Sequence, residues 1–159
     1  MLTAAYLLIT AGTAFGQTLT LKPPAVQHVG VIGTANPASA RPGERIMLWA
    51  DVTPETNIRV YAPGAKDVLP VALVMTPERR ATYSKPSYPA GRLASTVGLS
   101  ERVLVYSETF RIVQPVVLAR SLKAGETLIM AGAVNYQACD DRVCYPAASI
   151  PVTWSVRVR

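Results

Sequence analysis

Cysteine, histidine and charge are all scarce in this sequence, and each scarcity excludes a class of protein. The two cysteines would need further ligands to form a zinc or copper site, and the only histidine, His28, lies more than a hundred residues upstream of them, so we expect no metal. Charged residues make up 16% of the chain, and the basic ones are scattered, with Arg79 and Arg80 the only adjacent pair. A nucleic-acid-binding protein would concentrate them on one element among stacking aromatics, so we expect no nucleic-acid partner.

Long hydrophobic runs are also missing. The longest, Leu2–Gly16, has about fifteen residues, fewer than the ~20 that a transmembrane helix needs. It carries no charged side chain and ends in Ala14-Phe15-Gly16, which places small residues at the −3 and −1 positions of a cleavage site. The sequence therefore predicts a signal peptide over residues 1–16, cleavage before Gln17, and export to a compartment where disulfides form.

The remaining chain shows a two-residue apolar period and no sustained helical period, which predicts strands. The clearest alternation runs from Val152 to Val158, and Arg45–Val52 follows the same pattern. Further strand candidates are Asn57–Tyr61, Val71–Met75, Arg102–Tyr106, Phe110–Ala119 and Thr127–Ala138.

Turn residues separate these segments, as in Ala62-Pro63-Gly64 and Lys123-Ala124-Gly125. We therefore predict an all-β protein: one immunoglobulin-like antiparallel β-sandwich domain over residues 17–159. Pro115 cannot donate to a ladder, so its strand should lie at an edge or bend there. Thr76–Ser100 is the least patterned stretch and is predicted to be a long loop with a short strand inside.

The residues with distinctive chemistry lie between Val134 and Pro146, where Cys139 and Cys144 flank four residues. The pair could be a structural disulfide, although closing so short a loop removes little chain entropy, about 2 kcal/mol. A metal site would need further ligands, and His28 is distant in sequence. Thiol–disulfide exchange is the third interpretation, because a short loop on a rigid sheet presents two sulfurs that can bond without strain. Asp140 and Asp141 would then disfavour a thiolate, whereas Arg142 would favour it.

The run Tyr136-Gln137-Ala138-Cys139, followed by Cys144-Tyr145-Pro146, resembles the cysteine signature of the N-terminal periplasmic domain of DsbD, the thiol:disulfide interchange protein. The resemblance covers about residues 28–158. It implies an immunoglobulin-like sandwich whose cysteine pair passes reducing equivalents from a membrane-linked donor to oxidised periplasmic proteins, including those of cytochrome c maturation.

The resemblance also implies roles for individual residues. Cys139 and Cys144 would be the redox pair, with Cys144 forming the mixed disulfide with partners. A cap over the disulfide would fall at about Val103–Tyr106, where valine and leucine replace the aromatic residue of the family. The side chains expected to line the site are Tyr61, Tyr136, Tyr145, Pro146, Arg59, Glu101 and Tyr106.

From these features we expect a periplasmic monomer that acts as a component of a thiol–disulfide oxidoreductase system and needs no cofactor. Its partners would be thioredoxin-like redox proteins and a DsbD/CcdA-type membrane electron transporter. The alternative is a secreted β-sandwich binding domain whose hairpin disulfide is purely structural. Reactivity separates the two, because a structural disulfide resists mild reductant.

Overall fold

The computed structural model describes residues 27–159, and every regular element within that range is a strand. The predicted signal peptide, residues 1–16, lies outside the described residues, as do residues 17–26. None of the described residues forms a helix that could cross a membrane. The twelve strands are β1 (Val29–Asn36), β2 (Ser39–Ala40), β3 (Arg45–Pro54), β4 (Arg59–Tyr61), β5 (Ala72–Met75), β6 (Ala81–Tyr83), β7 (Arg92–Ala94), β8 (Val103–Tyr106), β9 (Phe110–Leu118), β10 (Thr127–Tyr136), β11 (Ala138–Cys139) and β12 (Ala148–Val158).

Two four-stranded sheets form the body of the molecule. The first has the strand order β1-β3-β9-β6 and the second the order β2-β12-β10-β5. All pairs are antiparallel except β2 with β12, which is parallel. In the strand lettering of immunoglobulin-like folds, the first sheet has the order A-B-E-D and the second sheet has the order A′-G-F-C. The all-β, immunoglobulin-like sandwich predicted from the sequence is confirmed.

The core lies between these sheets, and strict alternation puts it there. In β12 every second residue from Ile150 to Val158 is buried and the residues between them are exposed. β3 also buries every second residue, with Ile46, Leu48 and Ala50 almost fully buried, while most of the residues between them are half-buried. Each such leucine or isoleucine contributes about 1.5–3 kcal/mol by leaving water. A hydrogen bond joins the two layers, because the indole N–H of Trp154 donates to the carbonyl oxygen of Trp49 at 2.7 Å.

A third, smaller sheet positions the cysteines. Its strand order is β11-β4-β8-β7. The chain leaves the second sheet at the end of β10, passes Gln137 and enters this sheet as β11, where Ala138 pairs with Val60 and Cys139 with Arg59. The predicted strands at Asn57–Tyr61 and Arg102–Tyr106 are present in shorter form as β4 and β8. A rigid ladder therefore holds one of the two cysteines.

The strand that contains Pro115 is not an edge strand, because β9 lies between β3 and β6. Pro115 is tolerated because the neighbouring strand β6 stops pairing with β9 at this point. β6 pairs only as far as Tyr83 opposite Val116, and pairing resumes at an isolated bridge between Ser87 and Val113. The missing N–H of Pro115 thus falls at an interruption of the ladder.

The predicted long loop Thr76–Ser100 contains two short strands, β6 and β7, which belong to different sheets. β1 was not predicted from the sequence. It pairs with β3 over its whole length, from Val29 opposite Pro54 to Asn36 opposite Met47. The side chain of Ile32 in β1 is 69% exposed, which explains why the segment lacks a clean alternation.

Candidate functional site

Cys139 and Cys144 form a disulfide across a tight hairpin that follows β11. Their Cα atoms are 4.0 Å apart, and the two residues face each other as an isolated antiparallel bridge. Backbone hydrogen bonds close the hairpin on both sides of the disulfide. The N–H of Asp140 donates to the carbonyl oxygen of Val143 at 3.0 Å, and that of Tyr145 donates to the carbonyl oxygen of Ala138 at 2.8 Å.

The two sulfurs differ in their access to solvent. Cys139 is 0% exposed, whereas Cys144 is only partly buried. Cys139 forms a small apolar cluster with Tyr61 and Val105, separate from the main core. The partly buried side chains packed against this cluster are Ala65, Val68, Ala94, Leu99, Val103 and Cys144. An incoming thiolate can therefore approach Cys144 and not Cys139.

Tyr61, at the end of β4, brings a buried hydroxyl to the disulfide. Its oxygen lies 3.2 Å from the Sγ of Cys139 and 3.4 Å from the Sγ of Cys144. Disulfide sulfurs carry no hydrogen, so the tyrosine is the donor. The structure thus brings together three residues that the sequence placed in one site.

The carboxylate of Asp140 organises the turn of the cysteine hairpin. Its Oδ1 accepts the backbone N–H groups of Arg142 at 2.6 Å and Val143 at 2.8 Å, and its Oδ2 accepts the hydroxyl of Tyr145 at 2.8 Å. The N–H of Arg142, then the Tyr145 hydroxyl and the N–H of Val143, hold the pKa of Asp140 below its usual range. The same hydrogen bond to Asp140 raises the pKa of Tyr145.

Arg59 neighbours Cys139 across the ladder, but its guanidinium turns toward the hairpin turn. Nη1 donates to Oδ1 of Asp141 at 2.6 Å, and the side chain of Asp141 is 69% exposed. Arg59, expected to line the site, is therefore paired with a carboxylate of the hairpin turn.

Three other residues expected to line the site do not belong to the disulfide cluster; one lies in the main core and two lie on the surface. Tyr136 is 1% exposed in the main core, where burial raises the pKa of its hydroxyl. Pro146 is exposed next to Tyr145. Glu101 is exposed and lines a surface groove with Lys66 and Arg102.

Tyr106 belongs to the main core and not to the disulfide cluster. Its ring stacks on Phe110 at 3.9 Å between centroids, and its hydroxyl donates to the carbonyl oxygen of Pro89 at 2.6 Å. The cap expected at Val103–Tyr106 is strand β8, and it contributes Val103 and Val105 to the cluster around the disulfide.

His28 is a neighbour of the site that the sequence analysis missed. Its ring packs against that of Tyr145, with centroids 3.9 Å apart, and its Nδ1 lies 3.0 Å from Oε2 of Glu55. No local signal could have placed His28 here, because His28 and the cysteine hairpin lie near opposite ends of the described chain. Within residues 27–159, no cluster of His, Cys, Asp and Glu could hold a metal ion.

No protein-family model and no curated protein matches the chain. Among solved structures, the chain is similar to the N-terminal domain of DsbD from Neisseria meningitidis, crystallised in the reduced form. The TM-score is 0.46 and the sequence identity 17%, and the match covers 76% of this chain and 86% of that chain.

Proposed function

We propose that the protein exchanges thiols and disulfides through Cys139 and Cys144. The observation that carries the proposal is the unequal burial of the two sulfurs. Cys144 is partly exposed, whereas Cys139 is fully buried beside the hydroxyl of Tyr61. Exchange needs one sulfur open to attack and a leaving sulfur that the protein can stabilise, and this pair meets both requirements.

In the reducing direction, the thiolate of a partner attacks the Sγ of Cys144. A mixed disulfide forms, the bond between Cys144 and Cys139 breaks, and its electron pair goes to Cys139 as a thiolate. The Tyr61 hydroxyl, 3.2 Å away, donates a hydrogen bond to this developing charge. A second thiolate of the partner then attacks the partner's own sulfur in the mixed disulfide and releases Cys144. The domain gains two electrons and, at neutral thiols, two protons, and the partner leaves as a disulfide.

The cellular setting in this proposal rests on the cysteine motif and the N-terminal segment. We place the chain in the periplasm as a single domain from Gln17 to Arg159, released by cleavage after Gly16. Thioredoxin-like redox proteins and a DsbD/CcdA-type membrane electron transporter would be its partners. The exposed edge of the cysteine hairpin around Cys144 is where such a partner would make contact.

The deciding measurement is the reduction potential of the cysteine pair, obtained by equilibrating the protein in graded glutathione or dithiothreitol buffers. We expect a value well above about −300 mV, the region below which structural disulfides lie. A thioredoxin-like protein at catalytic concentration should also reduce the pair. A lower potential together with resistance to that protein would assign the disulfide a purely structural role.

A further inference from the structure

The hairpin that carries the cysteines is held together by more than its disulfide. Two backbone hydrogen bonds, from Asp140 to Val143 and from Tyr145 to Ala138, close it without involving either sulfur. The side-chain amide of Gln137 adds a donor to the carbonyl oxygen of Tyr145 at 3.3 Å. The closed shape of this loop therefore does not depend on the covalent bond alone.

Asp140 contributes more of these contacts than any other side chain of the hairpin. Both of its oxygens are used, Oδ1 by the N–H groups of Arg142 and Val143 and Oδ2 by the hydroxyl of Tyr145. These donors belong to the residues on either side of Cys144, or one position further from it. Charge-assisted hydrogen bonds of this kind are stronger than those between neutral groups.

Tyr145 is in turn held in place from outside the hairpin. The ring of His28 packs against it at 3.9 Å between centroids. Oδ2 of Asp140 therefore accepts from a hydroxyl whose ring is held by His28, the residue directly before β1, and this contact ties the turn to the sandwich. The adjacent Asp141 differs, because its side chain pairs with Arg59 on β4 and holds none of the hairpin's own backbone groups.

We propose that Asp140 is a positioning residue that keeps Cys144 against Cys139 when the disulfide is open. This inference rests on the proposed exchange function and deepens it. In the oxidising direction, the thiolate of Cys139 attacks the Cys144 sulfur of a mixed disulfide. The Cys139–Cys144 bond forms, the bond to the partner breaks, and the partner leaves as a thiolate. A hairpin that stays closed keeps the Cys139 sulfur next to Cys144. Formation of the Cys139–Cys144 bond is then favoured over persistence of the mixed disulfide.

The test compares Asp140→Ala and Asp140→Asn with the matched control Asp141→Asn, each equilibrated with reduced and oxidised glutathione. Closure of the mixed disulfide releases one reduced glutathione. The closure constant is therefore the ratio of intramolecular disulfide to the Cys144–glutathione mixed disulfide, multiplied by the concentration of reduced glutathione, with the two species resolved by acid quenching and mass spectrometry. We expect Asp140→Ala to lower it about tenfold, the scale of a charge-assisted hydrogen bond. Asp140→Asn should retain most of it, because the amide oxygen can still accept the N–H groups of Arg142 and Val143. Asp141→Asn should match the wild type.

Equal closure constants for Asp140→Ala and Asp141→Asn would overturn the proposal, and so would an Asp140→Asn variant as impaired as Asp140→Ala. Tyr145→Phe removes only the Oδ2 contact and should give a smaller loss, which keeps the test valid if Asp140→Ala does not fold. Glutathione is the only thiol used, so these ratios can be read whether or not a thioredoxin-like protein reduces the wild type. Failure of the proposed function and failure of this inference therefore give different results.

Discussion

The buried hydroxyl of Tyr61 lies 3.2 Å from the Sγ of Cys139, the sulfur that solvent does not reach. Cys139 is the sulfur that must leave when a partner attacks Cys144. A thiolate formed at a fully buried position loses its hydration, and one well-placed donor offsets part of that loss. We therefore propose that the Tyr61 hydroxyl makes the buried cysteine a workable leaving group in the exchange reaction.

Replacing Tyr61 with phenylalanine should slow reduction of the disulfide by about tenfold, because the departing Cys139 thiolate loses its hydrogen-bond donor. Stopped-flow reduction by dithiothreitol measures the rate. Tyr83→Phe is the matched control, since the Tyr83 hydroxyl is buried and has no hydrogen-bond partner among residues 27–159. Equal rates for the two variants would show that the Tyr61 hydroxyl does not act on the sulfur.

The two single-cysteine variants should differ in reactivity. In Cys139→Ala the remaining Cys144 is partly exposed, whereas in Cys144→Ala the remaining Cys139 is fully buried. We expect iodoacetamide to alkylate Cys144 much faster, and only Cys144 to trap a thioredoxin-like protein as a stable mixed disulfide. Both variants should stay folded, because loss of so short a cross-link costs only about 2 kcal/mol. Faster alkylation of Cys139 would contradict the assigned order of attack.

Acid should loosen the cysteine hairpin through Asp140. Its folded pKa lies below the ordinary value of 3.8, so its contribution to stability is complete above that value. The contribution is lost as the pH falls through the lowered folded pKa. The charged and titratable groups around it are Arg142, Tyr145, Asp141, Glu55 and His28. Urea unfolding of the oxidised protein between pH 5 and pH 2 should show a steeper loss of stability in the wild type than in Asp140→Asn.

Asp141→Asn is the control for that experiment, because it removes the same charge one residue away. The free energy of unfolding of Asp141→Asn should still fall steeply as the pH drops, because Asp140 is still present. A wild type and an Asp140→Asn variant with parallel profiles over this pH range would show that the carboxylate does not stabilise the folded hairpin.

The sandwich could be predicted from the sequence because the alternation of apolar and polar residues is a local feature of each strand. Alternation along Arg45–Val52 and Val152–Val158 identifies a buried and an exposed face without any knowledge of the partner strand. The cysteine motif was likewise readable, because spacing and flanking aromatics lie within one short run. The carboxylate of Asp140 accepts two turn N–H groups, which is common for an aspartate in a tight turn.

The surroundings of the site could not be predicted, because they depend on pairing between distant segments. Arg59 reaches Asp141 across a sequence separation of 82 residues, and only the pairing of β4 with β11 brings them together. Tyr106 was misplaced for a related reason. Side chains alternate along β8, so Val105 faces the disulfide cluster while Tyr106 faces the main core. The pairing register of the third sheet depends on short strands, and such strands are too short to show a clear alternation in the sequence.

Gly33 of β1 should tolerate no side chain, although nothing in the sequence distinguishes it from other glycines. A Cβ at this position would lie 2.5 Å from the carbonyl oxygen of Thr153 and 2.8 Å from Cγ2 of Val152, so β1 and β12 would have to separate. We expect Gly33→Ala to lower the free energy of unfolding by about 1–3 kcal/mol, the usual cost of overpacking. Gly30→Ala on the same strand is the matched control, since its Cβ would meet only the Thr53 oxygen at 3.9 Å. Urea unfolding measures both, and equal stability of the two variants would contradict the close packing of β1 on β12.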